Sequence, residues 1–197
     1  MGDTELNSDF WSKRYQTKET GWDMGSVSTP LKEFFDKLKD KNISILIPGA
    51  GNSYEGEYLL QQGFTNVTIL DYAPEAIENF KKRVSEHEKA KLICGDFFTH
   101  NGQYDLIVEQ TFFCAIDPSL RKKYAEKMHE LLKPRGKLAG LLFVVVPDSD
   151  GPPFGGSKEE YEKLFSPKFV IEKMEPCKNS IKPREGRELF FILSRKP

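Results

Sequence analysis

The feature that most constrains the fold is a short apolar run that ends in a glycine turn and continues as a helix. Residues 43–47 (ISILI) are rich in β-branched side chains, which is typical of a buried strand. The turn over residues 48–51 (PGAG) follows directly, and a helical pattern then runs from about residue 53 to 62 and ends at Gly63. This order indicates an α/β domain with a ligand site at the carboxyl end of the strand.

The rest of the chain continues to alternate strands with helices. Residues 133–136 (KPRG) are expected to stop a long helix and form a turn. Strands at about residues 168–174 and 188–194 have no helix between them, so they are expected to pair antiparallel. The sequence therefore predicts an α/β sandwich with a seven-stranded, mostly parallel sheet whose last strand is antiparallel. The other predicted strands cover residues 67–70, 91–94, 105–109 and 137–146, and the other predicted helices begin at Pro30, Pro74, Pro118 and Lys158.

Composition and charge narrow the classes of function. The chain has 197 residues, with 29 Lys and Arg against 30 Asp and Glu, for a net charge of −1. A balanced charge offers no overall field for nucleic acid or an anionic membrane, so the expected partner is a small molecule. Cys94, Cys114 and Cys177 form no CxxC pair and are expected to be reduced thiols. We expect one domain over residues 1–197, monomeric, cytoplasmic, without a bound metal and without a leader or membrane segment.

The glycine turn favours a nucleoside that carries an amino acid. Gly49 and Gly51 let the backbone approach a ligand without a Cβ in the way. Tyr54 stands where a dinucleotide fingerprint has its third glycine, so that pattern is incomplete. Glu55 lies one turn into the helix, where a carboxylate repels a pyrophosphate but accepts a hydrogen bond from an α-ammonium group. A plain tight turn between a strand and a helix is the alternative.

Acidic residues follow the next two strands. Asp71 ends the second strand, 20 residues beyond Gly51 (71 − 51), which is the spacing at which a carboxylate accepts from ribose hydroxyls. The alternative role for Asp71 is to cap the helix that begins at Pro74. Asp96 follows the third strand and is able to accept from an adenine amine, with Phe97 flanking the ring. We expect Asp96 to face the ligand, although a turn above two core phenylalanines is the simpler alternative.

Several longer stretches resemble one family. They are residues 20–25 (TGWDMG), 105–109 (DLIVE), 113–118 (FCAIDP), 131–134 (LLKP) and 151–154 (GPPF). In this order they resemble the thiopurine S-methyltransferase family, including its plant thiol and halide methyltransferase branch, over nearly the whole chain. The resemblance implies a class I methyltransferase with a Rossmann-like α/β sandwich. It also implies S-adenosyl-L-methionine as the cofactor and a small soft nucleophile as the acceptor, such as a thiol, thiopurine, thiocyanate or halide.

The resemblance further implies that residues 1–40 form a lid and a helix over the cofactor. By this resemblance Trp11 and Trp22 contact the cofactor, and Tyr15 stands where some relatives have Trp. The chemistry agrees, because aromatic faces attract a sulfonium cation and keep water out. The same rings are able to staple the N-terminal helix onto the core, and both roles are compatible.

No catalytic dyad is evident in the sequence. His87, His100 and His129 have no partner pattern and are expected at the surface. A thiolate or halide needs no proton removed, so proximity, alignment and dehydration of the nucleophile suffice. Glu109, at the end of the fourth strand, is expected to face the acceptor side and is the candidate catalytic and cofactor-positioning residue. The expected walls of the acceptor pocket are aromatic: Phe112, Phe113, Phe143 and Phe154.

The sequence leaves the acceptor open. Residues 49–52 read GAGN, and Phe143 stands where some relatives have Tyr; both depart from the family pattern. Arg184 and Arg187 lie between the last two strands and are able to attract an anion, although a solvated hairpin is the simpler interpretation. Two other functions stay open: a non-catalytic nucleoside-binding protein of the same fold, and an NAD-dependent oxidoreductase. The incomplete glycine pattern and the antiparallel strand pair count against the oxidoreductase.

Overall fold

Seven strands form one sheet in this computed structural model, which describes residues 6–146 and 151–197. Their spatial order is β3-β2-β1-β4-β5-β7-β6. Strands β1 to β5 pair in parallel, whereas β7 is antiparallel to both β5 and β6. The predicted sheet, with its late antiparallel strand, is therefore confirmed. The strands are β1 (Ile45–Pro48), β2 (Val67–Asp71), β3 (Ala90–Cys94), β4 (Tyr104–Gln110), β5 (Leu132–Phe143), β6 (Phe169–Pro176) and β7 (Glu188–Arg195).

Helices cover both faces of the sheet, and their ends follow local capping chemistry. Asn7 begins the first helix by accepting from the Phe10 amide. Ser157 and Glu160 form a capping box at the start of the last helix. None of the described helices is long and apolar enough to span a membrane. The helices are α1 (Ser8–Gln16), α2 (Thr29–Phe35), α3 (Tyr54–Gln61), α4 (Pro74–Arg83), α5 (Arg121–Leu131) and α6 (Lys158–Phe165).

The sheet separates two hydrophobic layers, as expected for parallel strands that are buried on both faces. On one face, α5 and α6 bury Tyr124, Met128 and Phe165. On the other face, α2, α3 and α4 bury Phe35, Leu59 and Phe80. Each such side chain stabilises the fold by about 1.5–3 kcal/mol relative to its exposed state. The two layers hold the strand ends, and therefore the loops that follow them, in fixed positions.

The prediction of a turn over residues 133–136 is wrong. The segment belongs to β5, which begins at Leu132 directly after α5. The register between β4 and β5 shifts between Tyr104 and Leu106, where the KPRG residues form a bulge. Arg135 has a φ of 64°, a left-handed conformation that a turn also uses. The segment therefore does have a turn-like backbone conformation. Here that conformation produces a bulge within β5 and does not end the strand.

The strand order reverses next to β1, which lies between β2 and β4. After β1 the chain continues to β2 and β3, which lie on one side of β1 within the sheet. It then returns to form β4 on the other side of β1. At such a switch point the loops after the strands separate and leave a crevice above the carboxyl edge. The glycine turn after β1 opens into this crevice.

Candidate active site

A cavity of about 890 Å³ lies at the carboxyl edge of the sheet. This volume falls in the upper part of the range for small-molecule sites. One part of its wall, which we call the glycine-loop side, consists of Gly49, Gly51, Asp71, Asp96, Phe97 and the aromatic rings of the N-terminal segment. The other part, which we call the Arg184 side, consists of Phe143, Val145, Pro152, Pro153 and Arg184.

The glycine loop needs its two glycines for different reasons. Gly49 and Gly51 both have a φ of 55°, which side-chain-bearing residues rarely adopt. A Cβ on Gly49 would also overlap the ring of Phe112. A Cβ on Gly51 would lie 3.4 Å from the Tyr15 hydroxyl, an ordinary contact distance. Both glycines are therefore required by the backbone conformation, and Gly49 in addition makes room for the Phe112 ring.

The Asp71 carboxylate holds the glycine loop in place. Its Oδ2 accepts from the Gly51 amide at 2.7 Å, and its Oδ1 accepts from the Ala73 amide at 2.8 Å, just before α4. Burial raises the pKa of this carboxyl, and the backbone amides act in the opposite direction. Asp71 borders the cavity, and a carboxylate has about four lone-pair sites, so it is able to accept further hydrogen bonds. The capping role is thus present, and the predicted ribose role is compatible with it.

Three aromatic rings of the N-terminal segment cluster over the glycine loop. The Trp22 ring packs edge-on against Trp11 at 5.5 Å and against Tyr15 at 5.7 Å. Helix α1 is tied to the adjacent loop, because Ser8 Oγ donates to the Tyr72 carbonyl at 2.9 Å. Burial raises the pKa of Tyr15, and nearby Asp71 adds to that effect. All three rings border the cavity, so residues far from β1 in sequence cover the glycine turn.

The loop after β3 also borders the cavity. Asp96 Oδ1 accepts from the Phe98 amide at 2.8 Å and so shapes the turn. Phe97 is buried in the core and also lies on the cavity wall. The neighbouring Phe98 contacts the core and borders the cavity as well. The structure therefore brings Asp96 and Phe97 to the same cavity as Gly51 and Asp71.

Several buried polar groups face the cavity from the start of α3 and from the end of β4. Glu55 is 6% exposed, borders the cavity and accepts from the Ser28 amide at 3.3 Å. Burial raises the pKa of the Glu55 carboxyl. Among the described residues, Ser53 Oγ and Gln110 Oε1 are buried and have no hydrogen-bond partner, and both residues border the cavity. Polar atoms of this kind are normally satisfied, so they indicate places where a ligand bonds.

The structure corrects the expectation for Glu109, whose side chain does not border the cavity. It is 0% exposed and points into the layer beneath α5. Its Oε1 accepts from the amides of Phe112 and Phe113, both at 2.8 Å, and its Oε2 accepts from the Tyr124 hydroxyl. Burial is the main reason that the pKa of Glu109 is raised to about 7. Strand alternation explains the error, because Glu109 and Gln110 face opposite sides of the sheet.

The four predicted aromatic walls divide into two pairs. Phe112 and Phe143 border the cavity, and the Phe112 ring packs on Phe97 at 5.1 Å. Phe113 is a core residue, 1% exposed, whose ring contacts Tyr124 at 4.9 Å. Phe154 is not part of the wall, because its amide donates to the Cys114 carbonyl while the two prolines before it border the cavity. The expectations for Phe113 and Phe154 are therefore corrected.

Comparison with known proteins assigns the family. The family model described as thiopurine S-methyltransferase (TPMT) matches residues 6–190. The chain belongs to the thiopurine S-methyltransferase family. Probable thiol methyltransferase 2 of Arabidopsis thaliana is 33% identical over 192 residues, which cover 94% of this chain and 84% of that protein. Thiocyanate methyltransferase 1 of Brassica oleracea is 30% identical, with 90% of this chain and 81% of that protein covered.

Solved structures show the same fold. The 1,6-didemethyltoxoflavin-N1-methyltransferase of Burkholderia thailandensis superposes with a TM-score of 0.75 at 18% identity, covering 98% of this chain and 88% of that chain. A TehB-like methyltransferase of Corynebacterium glutamicum gives a TM-score of 0.68 at 17% identity, with coverage of 96% and 98%. At these identities the likeness shows the class I methyltransferase fold alone. Together with the family, it favours neither an NAD-dependent oxidoreductase nor a non-catalytic binding protein.

S-adenosylmethionine is the methyl donor of the thiopurine S-methyltransferase family, and this protein is an S-adenosylmethionine-dependent methyltransferase. The glycine-loop side fits that group. Gly51 leaves the backbone open, and the unpartnered atoms on Ser53 and Gln110 offer polar contacts. Gln110 was not anticipated from the sequence. Its position directly after Glu109, at the carboxyl end of β4, was the available signal.

Arg184 of this methyltransferase differs from the solvated residue that the sequence favoured. It is 5% exposed and borders the cavity, whereas the neighbouring Arg187 is exposed. Its guanidinium lies 5.5 Å from the centre of the Phe143 ring, and its Nη1 lies 3.6 Å from Glu188 Oε1. No sequence pattern marked this burial, because it depends on the packing of the N-terminal segment against the loop before β7.

Proposed function

We propose that the protein transfers a methyl group from S-adenosylmethionine to a small, soft, anionic nucleophile. This nucleophile is a thiolate (for example that of a thiopurine), thiocyanate or a halide. The observation that carries this proposal is Arg184, a buried cation on the cavity wall. Its Nη1 has no hydrogen-bond partner among the described residues, and Glu188 at 3.6 Å offsets only part of its charge, so this end of the buried guanidinium favours an anion in the cavity. The relatives named for thiols and thiocyanate support the same class of acceptor.

In this proposal, different residues of the glycine-loop side bind different parts of the donor. Asp71 accepts from the ribose hydroxyls, while it keeps its hold on the Gly51 amide. Asp96 accepts from the adenine amine, and Phe97 flanks the adenine ring. Glu55, with Gln110 beside the cavity, accepts from the α-ammonium group. Each assignment uses an acceptor atom at the cavity for a donor group of the ligand.

S-adenosylmethionine supplies an electrophilic methyl group on a sulfonium centre when it is bound. The rings of Trp11, Tyr15 and Trp22 attract that positive centre and keep water out. Phe112 and Phe143 offer the nucleophile an apolar wall, which excludes water from it and so raises its reactivity. Among the described residues, no histidine borders the cavity. Glu109 lies behind the wall and acts in this scheme by fixing Phe112 in position.

The test of this function is turnover with radiolabelled S-adenosylmethionine and separate acceptors: thiocyanate, iodide, an alkyl thiol and a thiopurine. We expect methylation of at least one anion. The rate with thiocyanate is expected to stay level between pH 6 and 9, because this anion needs no deprotonation. With a thiol the rate should rise through the thiol's own pKa, about 8.5 for a simple thiol. Donor binding without turnover of any of these acceptors would contradict the proposal.

We further propose that the protein acts as a cytoplasmic monomer on small molecules and not on nucleic acid. The support is the net charge of −1 and the presence of free cysteines at positions 94, 114 and 177. Sedimentation equilibrium tests the monomer, and methylation assays with DNA and RNA test the acceptor class. A stable dimer or a labelled nucleic acid would overturn the corresponding part.

A further inference from the structure

The guanidinium of Arg184 has two different ends. Its Nη2 donates to the carbonyl oxygen of Trp22 at 2.8 Å, across 162 positions of sequence. Its Nη1 is buried and has no hydrogen-bond partner among residues 6–146 and 151–197. The Glu188 carboxylate lies 3.6 Å from Nη1, too far for a hydrogen bond. One end of the group is therefore committed to the N-terminal segment, and the other is available to a ligand.

The loop before β7 places this guanidinium at the cavity wall. Residues 182–184 form one turn of 3₁₀ helix, and the Arg184 amide donates to the Ile181 carbonyl at 2.8 Å. The Phe143 ring lies under the guanidinium, and Glu188 flanks it. Because the guanidinium is planar with its donors in a rigid fork, a bond that orients Nη1 also orients Nη2.

Trp22 connects Arg184 to the aromatic rings that lie over the glycine loop. Its ring packs against Trp11 and Tyr15, and together these rings form what we call the lid cluster over Gly51. The segment is also attached through α1, where Gln16 Nε2 donates to Glu75 Oε1 at 2.7 Å, and through Asp23, whose Oδ2 accepts from Asn52 Nδ2. Arg184 therefore adds a bond from the loop before β7 to the end of the segment that carries Trp22.

We propose that Arg184 is a positioning residue that couples acceptor binding to closure of the lid cluster over the donor. An anionic acceptor bonds to Nη1 and fixes the guanidinium, and Nη2 then holds the Trp22 backbone so that the aromatic rings stay over the donor. The inference rests on the proposed function, because it requires an anion at the Arg184 side. By linkage, the anion and the donor strengthen each other's binding by the same factor.

The surrounding charges are compatible with this coupling. Glu188 flanks the guanidinium and offsets part of its positive charge, and Glu55 also lies within electrostatic reach of Arg184. Arg187 borders the cavity and adds a positive charge, although its side chain is exposed. An acceptor at Nη1 therefore depends mainly on a directed hydrogen bond and less on long-range attraction.

The test measures the affinity for S-adenosylhomocysteine by calorimetry, with and without thiocyanate, at ionic strength matched with acetate. We expect thiocyanate to lower the Kd of the wild-type protein about tenfold, within the usual range of coupling between sites. The variant R184K keeps the charge, but its ammonium group lacks the rigid planar fork that orients one partner relative to the other. It should reduce the coupling to about twofold or less. The matched control R135K, at an exposed arginine that does not border the cavity, should retain the full coupling.

Two further measurements separate coupling from loss of structure. Thermal unfolding shows whether R184K is folded. Hydrogen exchange of residues 8–28 in the S-adenosylhomocysteine complex should slow on addition of thiocyanate in the wild type and stay unchanged in R184K. Full coupling in folded R184K would overturn the inference, as would thiocyanate turnover in the wild type without coupling. Coupling without turnover would instead overturn the proposed function and leave the role of Arg184 standing.

Discussion

The two sides of the cavity are built differently. On the glycine-loop side, the contacts that set the shape come mainly from the backbone: the Gly51 and Ala73 amides bond to Asp71, and the Phe98 amide bonds to Asp96. On the Arg184 side, side chains set the shape, with a guanidinium over the Phe143 ring and two prolines beside them. A surface whose shape is set by backbone hydrogen bonds suits a ligand that is the same in all relatives. Side chains, in contrast, are replaced between relatives without disturbing the strands.

This difference predicts that substitutions on the glycine-loop side affect the donor and those on the Arg184 side affect the acceptor. It matches the use of one methyl donor by relatives that are named for thiols, thiocyanate and thiopurines. The experiments that follow either break that division or make it sharper.

The largest effect is expected from Asp71→Asn. The amide group retains one acceptor oxygen but places an NH₂ group against one of the two backbone amides, and it loses the charge. Loss of charged hydrogen bonds on this scale, about 3 kcal/mol, corresponds to roughly a 100-fold weaker affinity for S-adenosylhomocysteine. Calorimetry measures it. The matched control is Asp117→Asn, an exposed carboxyl at the cavity whose loss should leave donor affinity within about threefold of wild type.

The next effect concerns Glu109 and pH. In the unfolded chain its pKa is near 4.5, and in the folded protein it is about 7. Between these values only the folded state binds the proton, so the stability from this group is complete below pH 4.5 and is lost as pH rises through about 7. Glu109→Gln removes this loss, because an amide accepts from the two backbone amides and donates to Tyr124. The unfolding free energy of the variant minus that of the wild type should increase by up to about 3 kcal/mol between pH 4.5 and 8.

Chemical denaturation at several pH values measures this difference. A constant difference between Glu109→Gln and wild type across that range would contradict a raised pKa. A pH-dependent change in donor affinity, with no change in stability, would instead return Glu109 to the ligand site.

A smaller effect separates the two glycines. Gly49→Ala adds both a strained φ and an overlap with the Phe112 ring, so we expect a loss of about 2–3 kcal/mol of stability. Gly51→Ala adds only the backbone strain, about 1–2 kcal/mol. Both variants should weaken donor binding, because both glycines lie on the glycine-loop side. Thermal unfolding and steady-state kinetics test both. Equal losses of stability would show that Phe112 moves aside without cost.

The smallest effect is expected at Phe154. Its ring does not border the cavity, so Phe154→Leu should leave the acceptor KM within about twofold of wild type. The comparison variant is Phe143→Leu, which removes the ring beneath Arg184 and should raise that KM about tenfold. If Phe154→Leu raised the KM as much as Phe143→Leu, the wall would include the whole GPPF loop.

The helices and strands were predicted to within a few residues because their patterns are local. Residues 158–165 illustrate this, since a capping Ser157 and an apolar stripe fix that helix without reference to the rest of the chain. The KPRG segment shows the limit. Its residues favour a turn, but the flanking Leu132 and Lys137 both pair with β4, so the segment becomes a bulge within β5 and does not end the strand.

The same division applies to the site. The sequence by itself determined the sheet, the glycine turn and the placing of Asp71 and Asp96 at strand ends, because each depends on a short stretch and on the common edge of parallel strands. Only the tertiary structure decided that Glu109 faces the core, that Gln110 faces the cavity and that Arg184 is buried against Trp22. These depend on which sheet face is covered and on contacts across up to 162 positions, which no local pattern encodes.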